Sequence, residues 1–295
     1  MKTMVLLIGE QPLPNLLPVK HYRPGSVILV CTPTTEELAD RLGKVIDVKH
    51  EKLKVEPYNI KGTSTRLRDY LEERRQKPED LTFNVTGGTK TMSYAAYDLS
   101  KQMGCPFIYM QSEGKKSVVY LYKFEDGMHK LAGGYPETIP GLITIEEYLK
   151  VHVGEFGEGE PKTEDERNRL MRLRACLSGC LDEVKTSVRF GGNIELDLVV
   201  RLGNQFGIAE VKTGKGAVKK SAIEQLMSAT DRQHLGTYTQ RFLVLDRKLE
   251  RNNKALADIL GITVLVVPSI TEDIPSRQDR ELLSSRIRQE LGGAA

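Results

Sequence analysis

The sequence predicts an α/β protein of two domains, a parallel sheet sandwiched by helices followed by a second α/β domain built on a strand meander. Three observations predict it. The chain has 295 residues, more than one α/β core ordinarily needs and suited to two units of about 150 residues each. Its first half alternates aliphatic runs with stretches of helical periodicity, the signature of a parallel sheet covered on both faces. A glycine- and acid-rich stretch, "VHVGEFGEGEPKTEDE", separates the halves, which places one domain at 1–150, a linker at 151–162 and a second domain at 163–295.

In order along the first half, "MVLLIG", "SVILVCTP", "LKVEPYNI", "LTFNV" and "CPFIYMQ" are β-branched and aliphatic strands. The helices between them are "TTEELADRLGKVI", "TSTRLRDYLEERRQ" and "TKTMSYAAYDLSKQMG". In the last of these, Met92, Ala95, Ala96, Leu99 and Met103 form one apolar stripe and Gly104 is placed to end it. "SVVYLYKF" and "HKLAGG" close the domain as a hairpin around "EDG". The second half reads α-β-β-β-α-β-α-β: helix "EDERNRLMRLRACL", strands "DEVKTSVRF", "NIELDLVVRL" and "QFGIAEVKT", helix "AVKKSAIEQLMSATDRQ", strand "RFLVLD", helix "NNKALADIL" and strand "ITVLVVP".

Composition narrows the function classes. A net charge of +3, with 39% hydrophobic and 28% charged residues, is ordinary for a globular protein, so only local clusters can speak for nucleic acid. No apolar run approaches the roughly 20 residues that span a bilayer, and the N-terminal run lacks a cleavage site; a cytoplasmic protein with no membrane partner is expected. Cys31, Cys105, Cys176 and Cys180 form no zinc pattern, and His21, His50, His129, His152 and His234 sit near no nucleophile.

"TFNVTGGTKT" superficially resembles a phosphate loop, but the glycine that should stand five positions before Gly88 is Phe83. What remains is Thr86, Gly87, Gly88, Thr89 and Lys90 between a strand and a helix. Free N–H groups, two glycines, two hydroxyls and a lysine at the carboxyl edge of a sheet suit a phosphate-bearing ligand. The same residues also suit a tight βα turn with Thr89 as N-cap. The loop after the first strand, with Gly9, Gln11 and Asn15, is expected beside it, and Thr32 and Thr34 after the second strand are lesser candidates.

In the second half, Glu195 and Asp197 share one face of their strand, and Glu210 and Lys212 share one face of the next. A hairpin through Gly203 and Asn204 brings Asp197 beside Glu210 and Lys212. Two adjacent carboxylates suit a hard cation, Mg2+ or Mn2+, with the Val211 carbonyl as a further ligand and Lys212 positioning a water for attack on a phosphodiester. An exposed strand face with an ordinary salt bridge is the plainer alternative. Glu183 is favoured as a third acid over Glu195, Glu164 and Glu166. Lys212, Lys215, Lys219 and Lys220 form a basic run suited to a nucleic acid backbone or to a solvated helix start.

"LIGEQPLPNLLPVKHYRPGSVILVCTPTT" with "FNVTGGTKTMSYAAYDLS" resembles a CARF domain, the CRISPR-associated Rossmann-fold sensor, and Asp197-x12-Glu210-Val211-Lys212 resembles the PD-(D/E)XK nuclease signature. Together they resemble the Card1 and Can2 effector nucleases of type III CRISPR systems. The resemblance implies a Rossmann-like sensor followed by a restriction-endonuclease-like domain. It also implies a homodimer that clasps a cyclic oligoadenylate, usually cyclic tetra-adenylate, and so switches on metal-dependent cleavage of single-stranded RNA or DNA. Glu10 to Asn15 and Thr86 to Lys90 match the ligand-binding segments, and Asp197, Glu210 and Lys212 the catalytic ones. The proline of the signature is absent, Leu196 standing before Asp197. A repair or restriction nuclease, and a ligand-responsive regulator that binds nucleic acid without cutting it, are the alternatives.

Overall fold

The structure is a computed structural model describing residues 2–161, 163–192 and 194–293, with the side chains of residues 232 and 233 outside the description. The end of the expected linker at Lys162 and the expected first strand residue Asn193 fall outside the described residues. Two compact units meet between Ile143 and Thr144.

The first unit runs β1 (Thr3–Leu7), α1 (Leu13–Tyr22), β2 (Ser26–Cys31), α2 (Glu36–Val45), β3 (Lys49–Lys54), α3 (Ile60–Glu73), β4 (Leu81–Asn84), α4 (Lys90–Met103), β5 (Phe107–Glu113), β6 (Lys116–Glu125), β7 (Met128–Leu131) and β8 (Glu137–Ile139). Its sheet has the order β3-β2-β1-β4-β5-β6-β7, with β8 also on β6. β1 to β5 are mutually parallel, and β6 to β8 pair antiparallel. Every residue of β1 is buried, as a strand covered on both faces requires. α4 buries Met92, Ala95, Ala96 and Leu99 and ends at Gly104 with φ +67°, as its sequence predicts. The β6–β7 turn places Asp126 and Gly127 at φ +53° and +77°, the type I′ geometry that suits a two-residue hairpin.

Three elements depart from expectation here. α1 occupies part of the loop expected after the first strand, and Pro12 and Pro14 sit where a first helical turn tolerates them. β3 lies at Lys49–Lys54, ahead of the apolar run expected to form it. As an edge strand it carries lysines, with Lys52 and Lys54 paired to Glu36 and Asp40. The stretch expected to be strand instead enters α3, capped by Asn59, whose side chain accepts from the Gly62 N–H at 2.8 Å.

The second unit runs α5 (Ile145–Val153), β9 (Phe156–Glu158), α6 (Glu164–Leu177), β10 (Glu183–Phe190), β11 (Ile194–Leu202), β12 (Gln205–Lys212), α7 (Lys220–Ala229), α8 (Arg232–Leu235), β13 (Gln240–Leu245), α9 (Arg251–Ile259), β14 (Ile262–Val266) and α10 (Arg277–Glu290). The sheet order is β14-β13-β12-β11-β10-β9, parallel from β12 to β14 and antiparallel elsewhere. Leu170, Leu173 and Leu177 of α6 and Leu283 and Ile287 of α10 pack on Leu198, Val200, Ala209, Val211, Phe242 and Val244. α7 covers the strands on its own side with Ala222, Ile223 and Leu226 buried.

The glycine-rich 151–162 stretch lies inside this unit rather than between the two. α5 starts with a capping box between Thr144 and Glu147 and buries Tyr148, which stacks on Phe206 and donates to the Leu235 carbonyl at 2.9 Å. β9 then joins β10. α10, not assigned from sequence, is capped by Ser276 accepting from the Asp279 N–H. No helix among the described residues is long and apolar enough to cross a membrane.

Candidate functional site

Because β1 lies between β2 and β4 in a parallel sheet, the loops that leave β1 and β4 emerge side by side. They touch. A Cβ on Gly9 would lie 2.8 Å from the Gly88 nitrogen, and one on Gly87 only 2.0 Å from the Leu7 carbonyl oxygen. Gly88 has φ +70°, so both glycines answer a backbone requirement whatever binds above them. Thr89 caps α4, accepting from the Met92 N–H at 3.2 Å while donating to the Pro57 carbonyl at 2.6 Å.

A buried amide network beneath the loops holds them together. Pro18 has no N–H, so the Pro14 carbonyl lacks its helical donor. Asn84 fills the gap: its Nδ2 donates to Pro14 O at 2.9 Å and to Asn15 Oδ1 at 3.1 Å. The Asn84 Oδ1 accepts from the Thr86 N–H and hydroxyl at 3.1 and 2.6 Å. Asn15 Nδ2 in turn donates to Leu7 O at 2.9 Å.

In the second unit, Leu198 faces Ala209, so one step along the same register sets Asp197 opposite Glu210. Both acids are buried. The Val211 N–H donates to Asp197 Oδ2 at 2.6 Å, and Lys212 Nζ lies 2.5 Å from Glu210 Oε1. That last contact has the distance of an ion pair without the angles of a hydrogen bond, so Oε1 is buried with no well-directed donor. Burial pushes Asp197 up to about 6, with Glu166 and Glu195 adding to it against the Val211 N–H and Lys212. Burial and then the charge on Asp197 push Glu210 up to about 8. The pair therefore retains a proton where solvated carboxylates are ionised. Burial alone would lower Lys212, but Glu210, Asp197 and Glu166 more than offset it and its pKa rises.

Among the described residues, no group of three or more His, Cys, Asp or Glu forms a ready ligand cluster. The donor set present is two adjacent buried carboxylates with one oxygen short of a donor, which fits a hard cation held by two protein groups and completed by solvent or substrate.

Glu183 is not part of this group. It pairs in register with Arg201, four positions along β11 from Asp197, and its carboxylate binds Arg201 Nε at 2.8 Å and the Ile145 N–H at 2.9 Å. The acid whose charge bears on Asp197, Glu210 and Lys212 together is Glu166, in the first turn of α6. Thr163-x-x-Glu166 reads as a helix start, which hides any second role. Sequence reading also missed Asp246, whose Oδ2 accepts from the Gly214 N–H at 2.8 Å and so ties the end of β13 to the loop after Lys212. Its hydrogen bond with Arg247 holds that carboxyl below its usual range.

Residues 3–148 match the Card1 CARF domain family. The first unit is a CARF domain. No curated protein sequence matches the chain. Among solved structures, Can2 from Sulfobacillus thermosulfidooxidans in complex with cyclic tetra-adenylate is similar at 19% identity, covering 98% of this chain and 97% of that one, TM-score 0.70. Protein VC1899 from Vibrio cholerae is similar at 14% identity over 99% of both chains, TM-score 0.73. A type III CRISPR defence DNA nuclease activated by cyclic oligoadenylate is similar at 17% identity over 84% of this chain and 45% of that one, TM-score 0.62. The two-domain fold is shared with these proteins.

Within the CARF domain the expected ligand residues divide into two sets. Gly9, Gln11, Thr86, Gly87, Gly88 and Thr89 are partly exposed at the loop pair, and Glu10 and Lys90 are exposed. Asn15 and Thr32 are buried instead. Asn15 holds the network under the loops, and the Thr32 N–H donates to Thr35 Oγ1 at 3.0 Å within its own turn. Asn84 was missed because an asparagine at a strand end reads as turn chemistry.

Proposed function

We propose that the protein is a metal-dependent endonuclease, activated by a cyclic oligoadenylate, that cuts single-stranded RNA or DNA in type III CRISPR defence. One observation carries the reading: a buried Asp197–Glu210 pair with Lys212 at its edge, on adjacent strands, in a chain whose first unit is a CARF domain. The first unit, up to Ile143, is the sensor and the second, from Thr144, a PD-(D/E)XK nuclease domain, acting as a cytoplasmic homodimer. The similarity to a Can2 structure holding cyclic tetra-adenylate and to a cyclic-oligoadenylate-activated nuclease supports the assignment of messenger and activity.

Gly9 to Gln11 and Thr86 to Lys90 hold the ribose-phosphate of the cyclic messenger, the glycines allowing close approach and Lys90 supplying charge. Asn15 and Thr32 act from below by fixing loop shape. Asp197, Glu210 and the Val211 carbonyl would hold Mg2+ or Mn2+, with Glu166 rather than Glu183 as the third acid nearby. A bound divalent ion supplies Lewis-acid stabilisation of the negative charge that develops on a phosphodiester. Lys212, kept protonated by its acidic neighbours, orients the attacking water and faces that charge. The messenger switches the nuclease by binding its active arrangement more tightly, for which a few kcal/mol, about 5 at most, suffices.

The test is cleavage of labelled single-stranded RNA, single-stranded DNA and supercoiled plasmid with Mn2+, with and without cyclic tetra-adenylate, against Asp197→Ala. Cleavage requiring messenger, metal and Asp197 is expected. Cleavage indifferent to messenger would mean a repair or restriction nuclease, and messenger binding without cleavage a regulator.

A further inference from the structure

Tyr58 is the most exposed large apolar side chain among the described residues of the CARF domain, at 79%. It stands on the loop between β3 and α3, which leaves the parallel sheet at the same carboxyl edge as the loops after β1 and β4. The Val55 N–H still bonds to the Cys31 carbonyl at 2.9 Å, so this loop begins only at Glu56. One residue later the Pro57 carbonyl accepts from the Thr89 hydroxyl at 2.6 Å, and also from the Thr91 hydroxyl in the first turn of α4. β3 and β4 have β2 and β1 between them in the sheet. The bond to Thr89 therefore bridges the carboxyl edge toward the point between β1 and β4 where the strand order reverses, the place where open α/β sheets take ligands.

The residues around Tyr58 are committed to holding this loop. Asn59 caps α3 through the Gly62 N–H and donates from Nδ2 to Glu56 Oε2 at 3.1 Å. The Thr63 hydroxyl donates to the Glu56 carbonyl at 3.1 Å. Tyr58 itself has no hydrogen-bond or ring partner among the described residues. Two positions on, Ile60 is also left 43% exposed. Since Tyr58 follows Pro57 in the chain, its Cα lies within about 5.5 Å of the Thr89 hydroxyl, the bond to the Pro57 oxygen plus one peptide unit. An unpartnered aromatic ring is thus carried on a pinned loop tied directly to the run Thr86 to Lys90.

We infer that Tyr58 stacks on an adenine base of the cyclic oligoadenylate, an inference that rests on the sensor reading above. With ribose-phosphate at Thr86 to Lys90, the attached base needs a surface beside that run, and a base presents a flat π face whatever its edge carries. A phenol ring meets such a face by offset stacking, and a loop already fixed at Pro57 and Asn59 loses little further freedom in doing so. Stacking responds to the area of the base and not to its hydrogen-bonding edge, so Tyr58 contributes affinity for purines while telling adenine from other purines is left to other groups.

The test uses the full chain with cyclic tetra-adenylate. The chain contains no tryptophan, so Tyr58→Trp places a lone indole reporter at the position in question. Its emission should be quenched as the messenger is added, with affinity no weaker than that of the unsubstituted protein. In calorimetric titration Tyr58→Ala should bind at least about 10-fold more weakly, while Tyr58→Phe should bind as the unsubstituted protein does. The Tm of unliganded Tyr58→Ala should not change, since the side chain is exposed. Tyr135→Ala, at a comparably exposed tyrosine (73%) between β7 and β8, should keep full affinity. If Tyr58→Ala keeps the parent affinity, or the Tyr58→Trp emission is unmoved at saturation, Tyr58 meets no base and the sensor reading stands. An equal loss in Tyr135→Ala would also overturn the assignment. If the unsubstituted protein does not bind cyclic tetra-adenylate, the sensor reading falls and this one with it.

Discussion

At Lys212 the ammonium is held charged beside two buried acids, so its removal takes away a fixed positive charge where negative charge develops. Lys212→Ala should lower the cleavage rate on the order of 10²–10³-fold and leave cyclic tetra-adenylate affinity unchanged, which single-turnover cleavage and calorimetric titration check together. Asp197 and Glu210 make a second prediction. Folded, they hold protons up to about 6 and about 8, against ordinary values of 3.8 and 4.5. The folded state therefore binds more protons between about pH 4 and pH 8, and stability falls as pH rises through that window. Thermal melts in chelator should show that fall, and Glu210→Gln should flatten it. Gly87→Ala would drive a Cβ to 2.0 Å from a backbone oxygen. It should cost about 2 kcal/mol or more, seen as a lowered Tm and lost messenger binding.

Among the elements, α1 and β4 depend on one another through a missing donor. The Pro14 carbonyl is open only because Pro18 cannot donate, and Asn84 at the end of β4 closes it. Asn84→Ala leaves that carbonyl, Asn15 Oδ1 and the Thr86 hydroxyl without their buried partner, a loss of about 1–3 kcal/mol. Messenger affinity should weaken with it, measured by calorimetry, since both loops hang from this amide. α1 was illegible for the same reason that it matters: prolines at its start and centre break the periodic pattern by which helices are read. β3 escaped because an edge strand is specified by charge pairs with α2, not by hydrophobicity. α4, by contrast, has its stripe, cap and terminating glycine all in the sequence.

On the scale of the whole molecule, the chain forms two compact units, and the proposed function gives each its own ligand. Each should therefore be stabilised by its own. At a hundredfold excess over Kd, cyclic tetra-adenylate should add about 2.7 kcal/mol to the CARF domain. Mn2+ should stabilise the second unit and have no effect in Asp197→Ala. Differential scanning calorimetry of the full chain with each ligand checks both. A messenger that shifts neither transition would sink the sensor assignment.

The sequence by itself determined the α/β alternation, the glycine loop after β4 and the acid pair with its lysine, because each depends on local periodicity or on a two-residue strand repeat. Strand register decided the rest. Asp197 and Glu210 meet because β11 and β12 pair as neighbours, while Glu183, close to them in pattern, is carried four positions away to Arg201. Asn15, polar and placed near the loops, turns inward because its amide donates to the Leu7 carbonyl and accepts from Asn84. The boundary between the units followed the same logic: glycines and acids suggested a linker, but Tyr148 had a core to enter and α5 went with it. Which polar groups are spent on the fold and which are left for a ligand is a matter of partners distant in sequence, and only the tertiary structure supplies them.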